Sequence, residues 1–305
     1  HYPLRRQRQM CIRDSFKEDN SIQRKPKWLK IKLPSGEGYA MVKKIVKEHH
    51  LNTICSSGMC PNIAECWGNG TATFMILGDI CTRSCRFCAT TTGKPSEPNP
   101  NEPSEVAESV KLMKLRHCVI TSVTRDDLPD EGAQLWHNTI AEVKRINPHT
   151  VVEVLIPDFN GNTNLIDKVL EANPDIVAHN IETVERLTPS VRSKANYKKS
   201  LSVIAYIAKK GYLAKSGLML GLGEELSEVE QALNDLVNSG CKAVTIGQYL
   251  QPRAENLPVS RYVEPEIFEE IKAIAKSKGF DFVESGPLVR SSYHAEEAAK
   301  QAKKQ

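Results

Sequence analysis

No apolar run in this 305-residue chain approaches the ~20 residues that a membrane helix needs, so a helical membrane span is excluded. No apolar signal segment precedes the body, the cysteine count of nine is odd, and the chain is not small. A disulfide-stapled secreted scaffold therefore does not fit, and a reducing compartment does. The cytoplasm is expected, with an organellar matrix left open. The body also lacks a basic patch interleaved with aromatics, which are only 6% of the residues. The net charge of +4 comes from the first 32 residues, where ten Lys/Arg face three Asp/Glu; the rest of the chain is about −3. No nucleic-acid partner and no membrane partner are expected.

What is present in quantity is cysteine, and in sets of three. Cys55, Cys60 and Cys66 are spaced C-x4-C-x5-C; Cys81, Cys85 and Cys88 are spaced C-x3-C-x2-C. A structural zinc site closes with four protein ligands. Thiolates are the usual ligands of iron–sulfur clusters, and a cubane held by three of them keeps one iron open. Two triplets imply two clusters with different tasks.

The chain divides at composition changes. Residues 1–25 have no hydrophobic period and read as a disordered or non-native leader. Residues 26–70 are broken by prolines and glycines and read as a cluster-stapled extension with weak secondary-structure signals. Residues 71–285 alternate apolar runs of strand length with amphipathic segments of helix length. Residues 286–305 form a tail opened by Gly286-Pro287. The strand-like runs are 73–77, 118–123, 151–156, 176–179, 217–220, 243–247 and 280–283. Helices are predicted near 104–116, 133–146, 163–172, 198–210, 226–239 and 265–278. Ser104, Thr163 and Ser227 look like N-caps, and Gly211, Gly240 and Gly279 like C-terminal stops. This alternation means parallel strands with crossover helices.

Unusual polar residues follow almost every run: the second cysteine triplet, then Thr124-Arg125-Asp126-Asp127, Pro157-Asp158, His179-Asn180-Ile181-Glu182, Gly221-Leu222-Gly223-Glu224 and Gln248-Tyr249-Leu250-Gln251-Pro252. Functional groups just past the carboxyl ends of strands mark a βα barrel. Six repeats predict a partial (βα)6 TIM-like barrel of the α/β class, with a doubly wound open sheet as the alternative.

C-x3-C-x2-C after the first barrel strand resembles the radical S-adenosylmethionine (SAM) superfamily. The resemblance implies that Cys81, Cys85 and Cys88 hold a 4Fe–4S cluster whose open iron chelates SAM, from which a 5′-deoxyadenosyl radical is made; such chemistry requires a cofactor. Phe87 would pack over that cluster. Thr121, Ser122, Asp126 and Asp127 sit where the superfamily binds the SAM amino group, although Asp126 and Asp127 could equally cap a helix at 129–132. Asn180 and Glu182 are placed for the ribose or methionine moiety, with helix capping as the alternative.

The first triplet narrows the likeness. Lys27-Trp28-Leu29-Lys30, Cys60-Pro61-Asn62-Ile63-Ala64-Glu65-Cys66-Trp67, Ser216-Gly217-Leu218-Met219-Leu220-Gly221-Leu222-Gly223-Glu224 and Arg290-Ser291-Ser292-Tyr293-His294 closely resemble the lipoyl synthase family over about residues 26–298. The resemblance implies insertion of sulfur at carbons 6 and 8 of an octanoyl chain on a carrier lysine. A second, sacrificial 4Fe–4S cluster on Cys55, Cys60 and Cys66 would donate the sulfur, and Ser292 would be its fourth ligand, with Ser291 as the alternative. An oxygen is a poorer iron ligand than a thiolate, so that iron would leave first. Implied partners are octanoylated lipoyl domains of 2-oxoacid dehydrogenase acyltransferase subunits, the glycine cleavage H protein, a ferredoxin or flavodoxin reductant, and an iron–sulfur carrier for cluster repair. Biotin synthase, the rival sulfur-inserting family, lacks the upstream triplet and the R-S-S-Y tail. A non-catalytic iron–sulfur carrier would leave the barrel loops unexplained. Arg290 would orient the cluster or a carboxylate, with a surface ion pair as the alternative. Cys118 and Cys241 are expected to be buried packing residues, and His179 a core or supporting residue.

Overall fold

The structure is a computed structural model that describes residues 25–30, 37–48, 53, 55, 60–294 and 297. Most of the leader expected over 1–25, and most of the chain after His294, lie outside the described residues.

Among the described residues, helices α1 (Glu37–Glu48) and α2 (Ile63–Gly68) precede the barrel. The expectation of weak secondary structure over 26–70 is corrected by α1. Tyr39, Val42 and Val46 recur at helical spacing; Val42 is buried, and Tyr39 stacks on Trp67 of α2 with ring centroids 5.5 Å apart.

The barrel strands are β1 (Thr71–Ile76), β4 (His117–Ser122), β5 (Val151–Leu155), β6 (Ile176–Ala178), β7 (Ala214–Leu220), β8 (Ala243–Gln248) and β9 (Phe282–Gly286). Between β1 and β4 lie two short strands, β2 (Ile80–Cys81) and β3 (Thr91–Thr92), which pair only with each other. All seven barrel strands are parallel, and their order in the sheet follows the chain. A doubly wound sheet reverses direction at a switch point; here there is none. The order is that of an open βα barrel with six repeats and a closing seventh strand. The crossovers are α3 (Glu102–Leu112), α4 (Ala133–Ile146), α5 (Thr163–Leu170), a short α6 (Thr188–Val191) with α7 (Tyr197–Lys209), α8 (Leu226–Asn238) and α9 (Pro265–Ser277).

The three helix stops are as expected: Gly211, Gly240 and Gly279 have φ of +85°, +76° and +97°, the left-handed conformation that glycine tolerates without strain. The expected N-caps are corrected. Asn101 precedes α3, with Pro103 in its first turn; Asn162 caps α5 through Asn164 N; Glu225 and Glu228 form a reciprocal capping box on α8. At α5 and α8 a residue one or two positions upstream of the expected Thr or Ser makes the cap, whereas Asn101 at α3 makes no side-chain cap bond.

Strands β4, β5 and β7 carry a buried ionic group. Lys215 Nζ lies 2.8 Å from Glu153, and His117 Nε2 lies 3.2 Å from its other oxygen, all three side chains almost wholly out of water. Burial works against a carboxylate here, but Lys215 and His117 outweigh it and hold Glu153 below the usual range. Lys215→Met would strand Glu153. We expect a loss of ~3–5 kcal/mol in urea unfolding, with a smaller loss in Lys215→Met/Glu153→Leu, where both charges are gone.

Candidate functional site

The second cysteine triplet sits in a loop beyond the carboxyl end of β1. Its ends are closed by the β2–β3 ladder, Ile80 opposite Thr91 and Cys81 opposite Thr92. Three backbone amides point at sulfur: Arg83 N and Thr124 N lie 3.4 and 3.3 Å from Cys81 Sγ, and Thr90 N lies 3.4 Å from Cys88 Sγ. Amide donors of this kind favour a thiolate. Burial pushes the Cys85 thiol up, while the guanidinium of buried Arg192 beside it acts in the opposite sense. Phe87 is half-buried in the same loop.

Neighbouring strand ends fix this loop. Arg86 N donates to Val191 O at 2.9 Å, and Ser84 N to Ser193 Oγ at 3.2 Å, tying it to the segment after α6. From beyond β8, Asn256 Nδ2 donates to Arg86 O at 3.1 Å and Cys88 O at 2.9 Å. The strongest tie is Arg83, between Cys81 and Cys85. Its guanidinium makes a bidentate pair with Asp126 beyond β4, shortest distance 2.7 Å, and reaches Asp158 beyond β5 at 2.8 Å. The sequence reading did not single out Arg83; a lone arginine between cysteines has no spacing partner to reveal it.

This arrangement commits several candidate residues elsewhere. Asp126 also accepts from Thr82 Oγ1 and Asn160 Nδ2, and its hydrogen bonds with Arg83 hold the carboxyl down at about 2. Asp127 is paired with Arg125 at 2.9 Å. Neither caps the following helix: Asp130 does so, accepting from Gly132 N and Gln134 N. Thr121 Oγ1 donates to Leu155 O on the next strand at 3.2 Å. Ser122 Oγ, by contrast, is buried and has no hydrogen-bond partner.

Asn180 and Glu182 follow β6. Asn180 is buried, and its Oδ1 would stand 3.0 Å from a Cβ placed on Gly217, so β7 must carry glycine there. Glu182 has φ of +66°, a conformation that is costly for a non-glycine residue and that concentrates at functional sites. Its peptide is held on both sides, N–H to Gly217 O and C=O from Met219 N, and burial raises its carboxyl. His179 lies beneath, with both ring nitrogens bonded, to Ile156 O and Ser200 Oγ; burial holds it near 4, neutral. Cys118 and Cys241 are fully buried, as expected.

The first triplet lies on the extension, between the two edges of the open barrel. Thr53 bridges Phe74 of β1, and Asn62 Nδ2 donates to Leu288 O, just past β9, at 2.7 Å. Cys55 is buried, and burial raises both Cys55 and Cys60 as thiols. The tail after β9 lies on this segment: Tyr293 Oη donates to Glu65 at 3.1 Å, and His294 Nε2 stands 3.4 Å from it. Ser291 and Ser292 are half-buried within that span. Arg290 is not in a surface ion pair. It is largely desolvated beside Cys60, with no carboxylate partner among the described residues.

The donor sets fit iron–sulfur clusters. No disulfide joins any described cysteine, amides aim at Cys81 and Cys88, and an unpaired desolvated guanidinium facing Cys60 calls for an anion. Among the described residues no three His, Cys, Asp or Glu side chains close around a single ion.

Residues 75–236 match the model of the radical SAM superfamily, and the chain belongs to that superfamily. The fold agrees: the crystal structure of methylornithine synthase superposes with a TM-score of 0.53 at 14% identity, covering 81% of this chain and 76% of that one. Within the superfamily the chain is a member of the lipoyl synthase family. It is 60% identical over 273 residues to the lipoyl synthase of Bacteroides fragilis (strain YCH46), covering 90% of this chain and 95% of that one. The Treponema denticola lipoyl synthase is 57% identical over 274 residues, with 90% and 94% coverage. The mitochondrial lipoyl synthase of Nematostella vectensis is 56% identical over 273, with 89% and 94%.

Proposed function

We infer that this enzyme inserts two sulfur atoms, at carbons 6 and 8, into an octanoyl chain carried on a lysine of a lipoyl carrier domain, using SAM and two 4Fe–4S clusters. The observation that carries this reading is the docking of the 288–294 tail on the segment holding Cys60 and Cys66. A radical SAM barrel alone needs neither part.

When bound, the reduced cluster and SAM supply a carbon radical able to remove hydrogen from an unactivated carbon, which side chains cannot. The chain's residues hold and orient. Cys81, Cys85 and Cys88 hold one cluster, with Phe87 packed over it. Ser122, with its uncommitted buried hydroxyl, and Asn180 and Glu182, at the strained end of β6, face SAM. Thr121 serves the barrel wall, and Asp126 and Asp127 serve the arginines that fix the loops rather than the SAM amino group. Cys55, Cys60 and Cys66 hold the sulfur-donating cluster, and Ser292, or Ser291 beside it, supplies the oxygen ligand. Octanoylated acyltransferase domains and the glycine cleavage H protein are the carriers, with a ferredoxin or flavodoxin as reductant and an iron–sulfur carrier for repair, in the cytoplasm. No described helix is long and apolar enough to cross a membrane.

The test is mass spectrometry of an octanoylated carrier peptide incubated anaerobically with the reconstituted enzyme, SAM and reductant. Gain of two sulfur atoms is expected. Release of 5′-deoxyadenosine with no sulfur in the peptide would point to another radical SAM reaction.

A further inference from the structure

We propose that Asn62 and Glu65 are positioning residues that seat the Arg290-Ser291-Ser292-Tyr293 segment on the Cys55, Cys60 and Cys66 triplet. The proposal rests on the reading of Ser292, or Ser291, as an iron ligand, and assigns what places that hydroxyl.

Asn62 stands two residues after Cys60, at the N-terminus of α2. Asparagine is suited to cap a helix there, yet its side chain makes no capping bond. It is buried, and Nδ2 instead donates to Leu288 O at 2.7 Å, 226 positions along the chain. Glu65 stands immediately before Cys66. Both its oxygens accept from Tyr293 Oη, at 3.1 and 3.3 Å, and His294 Nε2 lies 3.4 Å away. The other ring nitrogen of His294 lies 3.6 Å from Glu284 on β9. The two serines lie between these anchors.

Between the anchors the tail crosses the end of β8. A Cβ on Gly247 would stand 2.2 Å from Val289 O, so only glycine lets the backbone pass so closely. The crossing fixes the height of the tail, Asn62 fixes its start and Glu65 its end. Both anchoring side chains come from the same seven residues that supply two thiolates. The register between those thiolates and the serine hydroxyl is therefore set locally. The Glu65 contacts are partly exposed and weak individually, which suits a tail that must let one iron go during sulfur transfer.

The test compares Asn62→Leu, Glu65→Ala, Glu65→Gln, Tyr293→Phe, Ser291→Ala and Ser292→Ala. Leucine cannot donate to Leu288 O, whereas glutamine can still accept from Tyr293. Hydrogen exchange of amides 288–294 in the isolated protein should speed up about tenfold in Asn62→Leu/Glu65→Ala, as expected for losing two modest contacts. In 57Fe-reconstituted protein, the Mössbauer signature of the oxygen-liganded iron should be lost or become heterogeneous, with iron content near normal and recovery in Glu65→Gln. Tyr293→Phe, on the exposed side of the same contact, gives the reading if Asn62→Leu does not fold. If a serine variant changes the iron signature but Asn62, Glu65 and Tyr293 variants do not, the anchoring role is wrong and the ligand reading stands. If neither serine variant changes it, the ligand reading fails and the proposal fails with it.

Discussion

Replacing Cys81, Cys85 or Cys88 with alanine is expected to abolish 5′-deoxyadenosine release while leaving the fold intact. All three lie in the loop beyond β1, half-buried rather than packed in the core. The loop's position does not rest on their sulfurs alone, although Cys81 Sγ accepts from Thr124 N. The loop is held by Arg83 on Asp126 and Asp158, by Asn256 on Arg86 O and Cys88 O, and by its own β2–β3 ladder. Truncation there removes the weak amide–sulfur contacts but leaves these anchors, so thermal unfolding should move far less than activity. Activity should fall by at least about a thousandfold, because ligands that act as one unit cannot be lost singly. Cys55→Ala, Cys60→Ala and Cys66→Ala should behave differently, releasing deoxyadenosine but yielding no sulfur-bearing peptide. Normal deoxyadenosine from any variant of the loop triplet would sink its assignment. Lipoylated peptide from any variant of the extension triplet would sink the second.

The barrel was legible because apolar periodicity and turn residues are local. The strands lie within a few residues of their expected positions, and the three stop glycines are where a left-handed residue is required. The cysteine triplets were legible because ligand spacing in one loop is also local. What the sequence hid is what folding brings together from a distance. Arg83 meets Asp126 across 43 positions and Asn62 meets Leu288 across 226; nothing in either neighbourhood announces its partner. Thr121 and Asp126 lie at and just past the carboxyl end of β4, where the sequence placed them. Their hydroxyl and carboxylate groups are nevertheless committed to neighbours, which only the side-chain geometry reveals. The N-caps of α5 and α8 were misplaced for a smaller reason of the same kind: an asparagine one residue upstream and a glutamate two residues upstream take the free amides.

Arg83→Met is expected to cost ~3–5 kcal/mol and to misplace the loop as well, because it leaves buried carboxylates without their cation. Asp158 is wholly inaccessible and one of its oxygens already lacks a hydrogen-bond partner. Burial raises its carboxyl, and Arg83 outweighs that and holds it below the ordinary carboxylate range. Without Arg83, Asp158 must take up a proton or drag water inward. Lysine should rescue only in part, since a single ammonium cannot repeat the bidentate grip on Asp126 while also reaching Asp158. The pH dependence gives an independent check. Asp126 titrates at about 2 in the folded protein, against 3.8 ordinarily. A depressed carboxyl contributes stability that is complete above its unfolded value and is lost as pH falls through the folded one. Wild-type stability should therefore decline between pH ~4 and ~2 partly through this pair, and Arg83→Met should lack that part of the slope. Parallel urea titrations of the two proteins at pH ~5 and ~3 measure it. Equal losses in both would mean that Arg83 does not hold Asp126 in solution, and that the cysteine loop is fixed by its other ties, to Asn256, Val191 and Ser193 and through the β2–β3 ladder.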